Sequence, residues 1–212
     1  MSAGSSSDLL EKLRRLHEYS PCDVSDALLK LQKPKAGEVA RAGFLADIVP
    51  VPPSQKLAAD GSTAKKVIAP ACTLKLVSKN SPPESTPPAE NAIPKGSHWV
   101  DLTEPGSIVV IDQPEGQKCA AVGGIMAQRM KKRGVAGCII GGRVRDMAEL
   151  KSSQLPGDIV FCDLEEGIVV IPQELLDETL SLMPKLVTAD DKVKEAVENG
   201  MTVADAFKKF RE

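Results

Sequence analysis

One alternation constrains this chain more than any other feature. Ala120 to Lys132 reads as a helix whose last turn is basic, which suits the negative end of the helix dipole, and Gly134 ends it. Val135 to Ile140 follows at once as a short apolar run of the kind that forms a buried strand. Ahead of the helix, Gly106-Ser107 opens another such run, Ile108 to Ile111. Strand, helix, strand in that order implies a crossover unit and some parallel sheet, so the class is α/β. Only 3% of residues are aromatic, with one Trp and one Tyr, so Val, Ile, Leu and Ala must build the core.

The rest of the chain supports one domain over 1–212. Leu9, Leu10, Leu13 and Leu16 recur at helical spacing behind Asp8, a candidate N-cap, and Pro21 breaks the pattern. Asp23 to Leu29 reads as a second helix, in which Asp23 and Asp26 serve as caps in an acidic first turn. The N-terminal helices thus lie within 8–31. Phe44 to Val49 reads as a strand, and Val67 to Val77 contains another. A loop at 78–98 carries Pro-Pro at 82–83 and 87–88, which cannot continue a central strand. Ile159 to Cys162 and Ile168 to Ile171 read as strands around an acidic turn. Helices fill 173–212: one from Pro172-Gln173 towards Met183, one over Asp190 to Glu198, and one capped by Thr202.

Charge and cysteine usage exclude several function classes. The formal net charge is −2, which argues against a nucleic-acid or membrane partner. Five widely spaced cysteines, with no Cys-x-x-Cys, indicate neither a zinc site nor a disulfide framework. Cys138 and Cys162 lie in apolar runs and are expected to be buried free thiols, which suits a reducing, cytoplasmic setting. The Ser-rich N-terminus has no apolar segment of the secretory kind. No apolar run is long enough to span a bilayer as a helix.

Two glycine turns flank the central helix and strand. Gly123-Gly124 precedes Ile125-Met126 at the helix start, where backbone N–H groups and the positive dipole end form a ready anion site. Gly141-Gly142-Arg143-Val144-Arg145-Asp146 follows the strand, and Arg145-Asp146-x-x-Glu149 ends it. Asp146 and Glu149 also match a capping-box pattern, with Asp146 as N-cap of a following helix. Both readings stand at this point. Twenty residues separate Gly124 from Arg145, and one helix and one strand fill them. If the two strands are neighbours, both turns open on one edge of the sheet, the usual place for ligand chemistry in open α/β folds.

The pattern Gly-x20-Arg-Asp-x2-Glu resembles the signature of the class II pyruvate aldolases, typified by 4-hydroxy-4-methyl-2-oxoglutarate/4-carboxy-4-hydroxy-2-oxoadipate aldolase, within the RraA-like superfamily. Cys22 to Leu28, Ala69 to Thr73, Arg133 to Gly137, Gly157 to Asp163 and Gly167 to Pro172 resemble it too, in the right order. The Pro-rich loop and charged tail look like fungal-type members. The resemblance implies a three-layer β/β/α swivelling fold, like phosphohistidine domains, with helical N- and C-terminal extensions, assembled as a homotrimer or homohexamer. It implies a lyase that uses Mg²⁺ or Mn²⁺, with Asp146 as the metal ligand and waters filling much of the shell. Arg145 and Asp146 would be catalytic. Gly123, Gly124, Ile125 and Met126 would bind the carboxylate of a 2-oxo acid substrate, and Arg145 its oxygens. The implied reactions are retro-aldol cleavage of 4-hydroxy-2-oxo diacids and decarboxylation of oxaloacetate, both through a metal-bound pyruvate enolate. The superfamily's ribonuclease regulators lack the Asp at this position, so Asp146 favours an enzyme over a non-catalytic regulator that binds a protein partner.

One departure bears on the fold. In the family a longer segment, opening on a strand, separates the Arg-Asp motif from the Gly-Asp turn. Here Leu155-Pro156 runs directly into Gly157-Asp158. Either the segment is truly deleted or residues are missing from the sequence; if it is deleted, one edge of the barrel is expected to be open, and an inactive truncated isoform is the further alternative to a working lyase.

Overall fold

The computed structural model describes residues 3–46, 48, 66–78, 92–146, 159–163 and 166–211. They divide into two compact units, Met1–Leu45 with Glu166–Glu212, and Ala46–Glu165.

The unit Ala46–Glu165 carries the β–α–β element. Strands β2 (Ala71–Lys75), β3 (Ile108–Asp112) and β4 (Cys138–Gly141) form a parallel sheet in that order. Register runs Ala71 opposite Ile108 and Val109 opposite Cys138. Helix α3 (Gly124–Lys132) makes the crossover from β3 to β4. β3 is buried over most of its length, with Ile108, Val109 and Ile111 almost inaccessible, as a central parallel strand must be. Val109 and Ile111 join Val100, Val122, Met130 and Val135 in the core, where Met130 is the anchor from α3. β4 has one strand neighbour, β3, among the described residues.

The run Val67 to Val77 is two strands, not one. β1 (Lys66–Ala69) pairs antiparallel with β5 (Val160–Asp163), while β2 pairs with β3. Pro70 is the corner. It has no N–H to donate to a ladder, but its carbonyl accepts from Ile108 at 3.0 Å. α3 also starts later than its periodicity suggests: Ala120 to Val122 are not helical, and Val122 bridges Val144. A 3-10 turn, Trp99–Leu102, holds the flank of α3. Arg129 pairs with Asp101 at 2.6 Å, and Arg133 donates to the Thr103 carbonyl at 2.6 Å.

The unit Met1–Leu45 with Glu166–Glu212 is mostly helical: α1 (Ala3–Leu16), α2 (Pro21–Leu31), α4 (Leu176–Glu198) and α5 (Val203–Phe210), with strand β6 (Gly167–Val170). α1 begins before Asp8, so Asp8 is not its N-cap; Asp8 instead pairs with Lys12, which also reaches Asp177. α2 starts two residues earlier than expected. Ser20 is its N-cap, Pro21 is its first residue, and Asp23 closes a capping box by accepting the Ser20 N–H at 2.8 Å. Asp26 is not a cap; it faces Arg211 at 3.8 Å. The two helices expected over 173–198 are one, α4, with Pro184 inside it and a 3-10 turn at Gln173–Leu175 leading in. Leu176, Leu180 and Met183 bury its apolar face, which carries the helix through the proline. α5 is capped by Thr202 as expected. Arg211 grips Asp190 with two bonds of 2.6 Å and lies over the Phe207 ring. The Phe44 strand is a single bridge, to Val169; Asp47, Val49 and most of the Pro-rich loop lie outside the described residues.

Among the described residues no helix is long and apolar enough to cross a membrane. All five cysteines are thiols outside any disulfide, and Cys138 and Cys162 are partly rather than fully buried. Burial still pushes the Cys138 thiol up to about 12, and burial followed by the Asp163 charge raises Cys162.

Candidate functional site

Because β3 and β4 are parallel neighbours, the segments that follow them leave the same edge of the sheet. They also pair with each other. The Ala121 N–H donates to the Arg143 carbonyl at 2.7 Å, and the Arg145 N–H to the Val122 carbonyl at 3.1 Å. Val144 sits between these bonds and packs inward against the core. In an extended segment alternate side chains share a face, so Arg143 and Arg145 project away from the core on either side of Val144.

The next residue, Asp146, has φ +62, the left-handed region that few non-glycine residues enter. An N-cap is extended instead, so Asp146 does not cap the helix expected after it. The second half of that capping box, Glu149, lies outside the described residues. Asp146 caps a different helix. Its Oδ2 accepts the Gly124 N–H at 3.0 Å, across 22 residues of chain. α3 starts with Gly123 as N-cap and no cap from that residue's own side chain. The Asp146 carboxylate therefore satisfies one of the orphan amides of α3 and meets the positive end of its dipole. The Arg145 Nε lies 3.7 Å from the same oxygen.

Gly123 is what lets this cluster close. A Cβ there would stand 2.9 Å from Asp146 Oδ2 and 3.1 Å from Arg145 Nε. So Gly123, Gly124, Arg145 and Asp146 are brought together as the spacing suggested. Ile125 is highly exposed, and Met126 packs on the core. One detail differs from the expectation that all four amides of Gly123 to Met126 face the substrate: the Gly124 amide is already engaged by Asp146. Ile125 and Met126 hold the next two amides of the first turn, which an α-helix leaves without an internal partner.

Gln113 was not singled out by its sequence. It is buried just past the end of β3, and its side chain ties the two site loops. Oε1 accepts the Arg143 N–H at 2.9 Å, and Nε2 donates to the Cys119 carbonyl at 3.0 Å. Gly142 makes room for it, since a Cβ on Gly142 would lie 2.6 Å from Oε1. The sequence signal was a polar residue directly behind the apolar strand, at the edge where loops converge.

Among the described residues no group of three His, Cys, Asp or Glu side chains could hold a metal ion. That excludes a closed zinc-type cage built from them. A single carboxylate, 45% exposed at its side chain, fits a hard divalent ion that keeps most of its waters.

Residues 22–157 match the RraA-like family described as Aldolase/RraA. The chain belongs to the RraA-like family. An uncharacterized protein from Pseudomonas syringae pv. tomato str. DC3000 has a similar structure, with a TM-score of 0.62, 19% identity, and coverage of 95% of this chain and 94% of that one. Streptomyces coelicolor RraAS2, titled an unusual member of the RNase ES inhibitor RraA protein family, gives 0.58 at 18% identity, covering 90% and 98%. At these identities the likeness is one of fold. Protein DlpA of Legionella pneumophila is 21% identical over 178 residues, which is 68% of this chain but only 28% of that protein. The RraA-like family includes both aldolase and decarboxylase members and regulators.

Proposed function

We propose that this RraA-like protein is a divalent-metal-dependent C–C lyase. It would cleave 4-hydroxy-2-oxo diacids by retro-aldol reaction, decarboxylate oxaloacetate, or both. The observation that carries this reading is Asp146. A carboxylate is held in a left-handed backbone conformation, beside an arginine, at the N-terminus of a helix, on the carboxyl edge of a parallel sheet. Backbone strain of this kind gathers at functional sites.

Asp146 would hold Mg²⁺ or Mn²⁺, which supplies Lewis acidity at the 2-oxo acid end of the substrate. The Ile125 and Met126 amides would orient the substrate carboxylate. Arg145 would donate to the oxygen on which negative charge accumulates as the C–C bond breaks. Donors placed where charge develops contribute roughly a hundred- to a thousandfold in rate. Gln113 would act through position, keeping the Arg143–Asp146 segment against the α3 start.

The test is pyruvate formation from oxaloacetate and from 4-hydroxy-2-oxoglutarate, with Mg²⁺ or Mn²⁺ and then with EDTA. Metal-dependent pyruvate from either acid is expected. No pyruvate above the metal-only background would refute the lyase reading and leave a regulator that binds a protein partner. A homotrimer or homohexamer is proposed for the assembly.

A further inference from the structure

Arg143 and Lys118 are not used by that mechanism, yet they share a cleft with Arg145. The cleft is lined by Lys118, Cys119, Ala120, Arg143, Val144 and Arg145, so its described wall carries three cations and no carboxylate. Arg143 is anchored at both ends. Its backbone N–H is bound by Gln113, and its Nε donates to the Gln117 carbonyl at 2.8 Å. The two terminal nitrogens make no hydrogen bond with other described residues. An arginine fixed through Nε, with its terminal nitrogens available, presents donors for a planar anion. Residues two apart on an extended segment are about 6.6–7 Å apart. Arg143 and Arg145 thus stand on one face of the segment and line the same cleft.

We propose that Arg143, with Lys118, holds the distal carboxylate of the substrate and makes the site selective for diacids. This rests on the lyase reading for the reaction, but not for the binding. It also separates the two reactions. In retro-aldol cleavage of 4-hydroxy-2-oxoglutarate, the C4 hydroxyl loses its proton and the C3–C4 bond breaks. Its electron pair passes to the three-carbon fragment, which takes up a proton as pyruvate, and the other product is glyoxylate. The distal carboxylate stays on glyoxylate and keeps its partners throughout. In oxaloacetate the distal carboxylate is the group that leaves as CO₂. Cations that hold it stabilise the ground state more than the transition state and oppose its loss. The cleft therefore favours aldol cleavage.

The experiment compares kcat/KM for 4-hydroxy-2-oxoglutarate with that for 4-hydroxy-2-oxopentanoate, which lacks the distal carboxylate, in wild type, Arg143→Ala, Arg143→Lys and Lys118→Ala. The diacid preference is expected to fall roughly ten- to a hundredfold in Arg143→Ala, the size of one charge-assisted hydrogen bond. It should fall less in Arg143→Lys, and in the same direction in Lys118→Ala, which keeps the Arg143 anchors. In Arg143→Ala the ratio of aldol cleavage to oxaloacetate decarboxylation should also fall. Equal losses on both hydroxy acids in Arg143→Ala and no change in Lys118→Ala would overturn the proposal. If wild type cleaves neither hydroxy acid and does not decarboxylate oxaloacetate, the lyase reading fails on its own. Calorimetry with 2-oxoglutarate against 2-oxopentanoate then decides: a diacid preference lost in Arg143→Ala supports the subsite, and no preference overturns it.

Discussion

Replacing Asp146 by asparagine and by alanine separates the two tasks assigned to one carboxylate. Its structural task is the 3.0 Å bond from the Gly124 N–H. Asparagine can accept that bond through its amide oxygen, and it tolerates the left-handed φ of +62. It loses only the charge at the helix start, worth about 0.3–1 kcal/mol. The side chain is 45% exposed, so solvent screening puts the effect at the low end, about 0.5 kcal/mol. Alanine loses the cap as well, about 1 kcal/mol, and pays more of the left-handed penalty, about 1 kcal/mol. The expected losses are about 0.5 kcal/mol for Asp146→Asn and about 2.5 kcal/mol for Asp146→Ala, or roughly 1–2 °C and 5–10 °C in Tm. The chemical task needs the charge, so both variants should lose Mn²⁺ binding and metal-dependent pyruvate formation. Thermal melts, Mn²⁺ paramagnetic resonance and coupled pyruvate detection on the same preparations read these out. An Asp146→Asn protein that binds Mn²⁺ as wild type does would refute the metal assignment. An Asp146→Ala protein as stable as wild type would refute the cap.

Three further substitutions probe the surrounding frame. Gly123→Ala should push the Asp146 carboxylate off the Gly124 amide, weakening Mn²⁺ binding about tenfold or more while costing about 0.5–1 kcal/mol of stability; unchanged Mn²⁺ affinity would contradict the close approach. Gln113→Ala should cost about 1–3 kcal/mol in denaturant unfolding, because the Arg143 amide and the Cys119 carbonyl lose a buried partner, and should lower kcat/KM with it. Cys138, pushed from its ordinary 9.0 up to about 12, should resist alkylation at pH 8 until the chain unfolds, whereas exposed Cys119 reacts. The raised value favours the folded state below about pH 9 and withdraws that advantage as pH rises. Between about pH 9 and 12 wild type should therefore lose about 1.4 kcal/mol per pH unit relative to Cys138→Val, and parallel profiles would contradict the burial.

The chain announced its local elements and the separation of its two glycine turns. A basic-ended helix stopped by Gly134, and apolar runs at Ile108 to Ile111 and Val135 to Ile140, need only propensity and periodicity to be read. They sufficed for the α/β class and for the expectation that Gly123-Gly124 and Arg145-Asp146 meet. What they could not show is which partner each polar group takes, since hydrogen bonds across long chain separations leave no local period. Asp146 carries the composition of an N-cap for the residues behind it, and tertiary packing turns it towards α3 instead, because the Ala121–Val122 and Arg143–Arg145 segments pair. Gln113 looked like an ordinary residue past a strand until the sheet placed Cys119 and Arg143 on either side of it. Pro184 and Pro70 divide the same way: one sits inside a helix because buried Leu180 and Met183 hold it there, and the other splits a run because its two halves join different partner strands. Periodicity is a property of neighbours along the chain, and so the sequence alone could state it; the identity of a cap, a loop tie or a strand partner depends on which distant groups the core brings within hydrogen-bonding reach, and only the folded structure decides that.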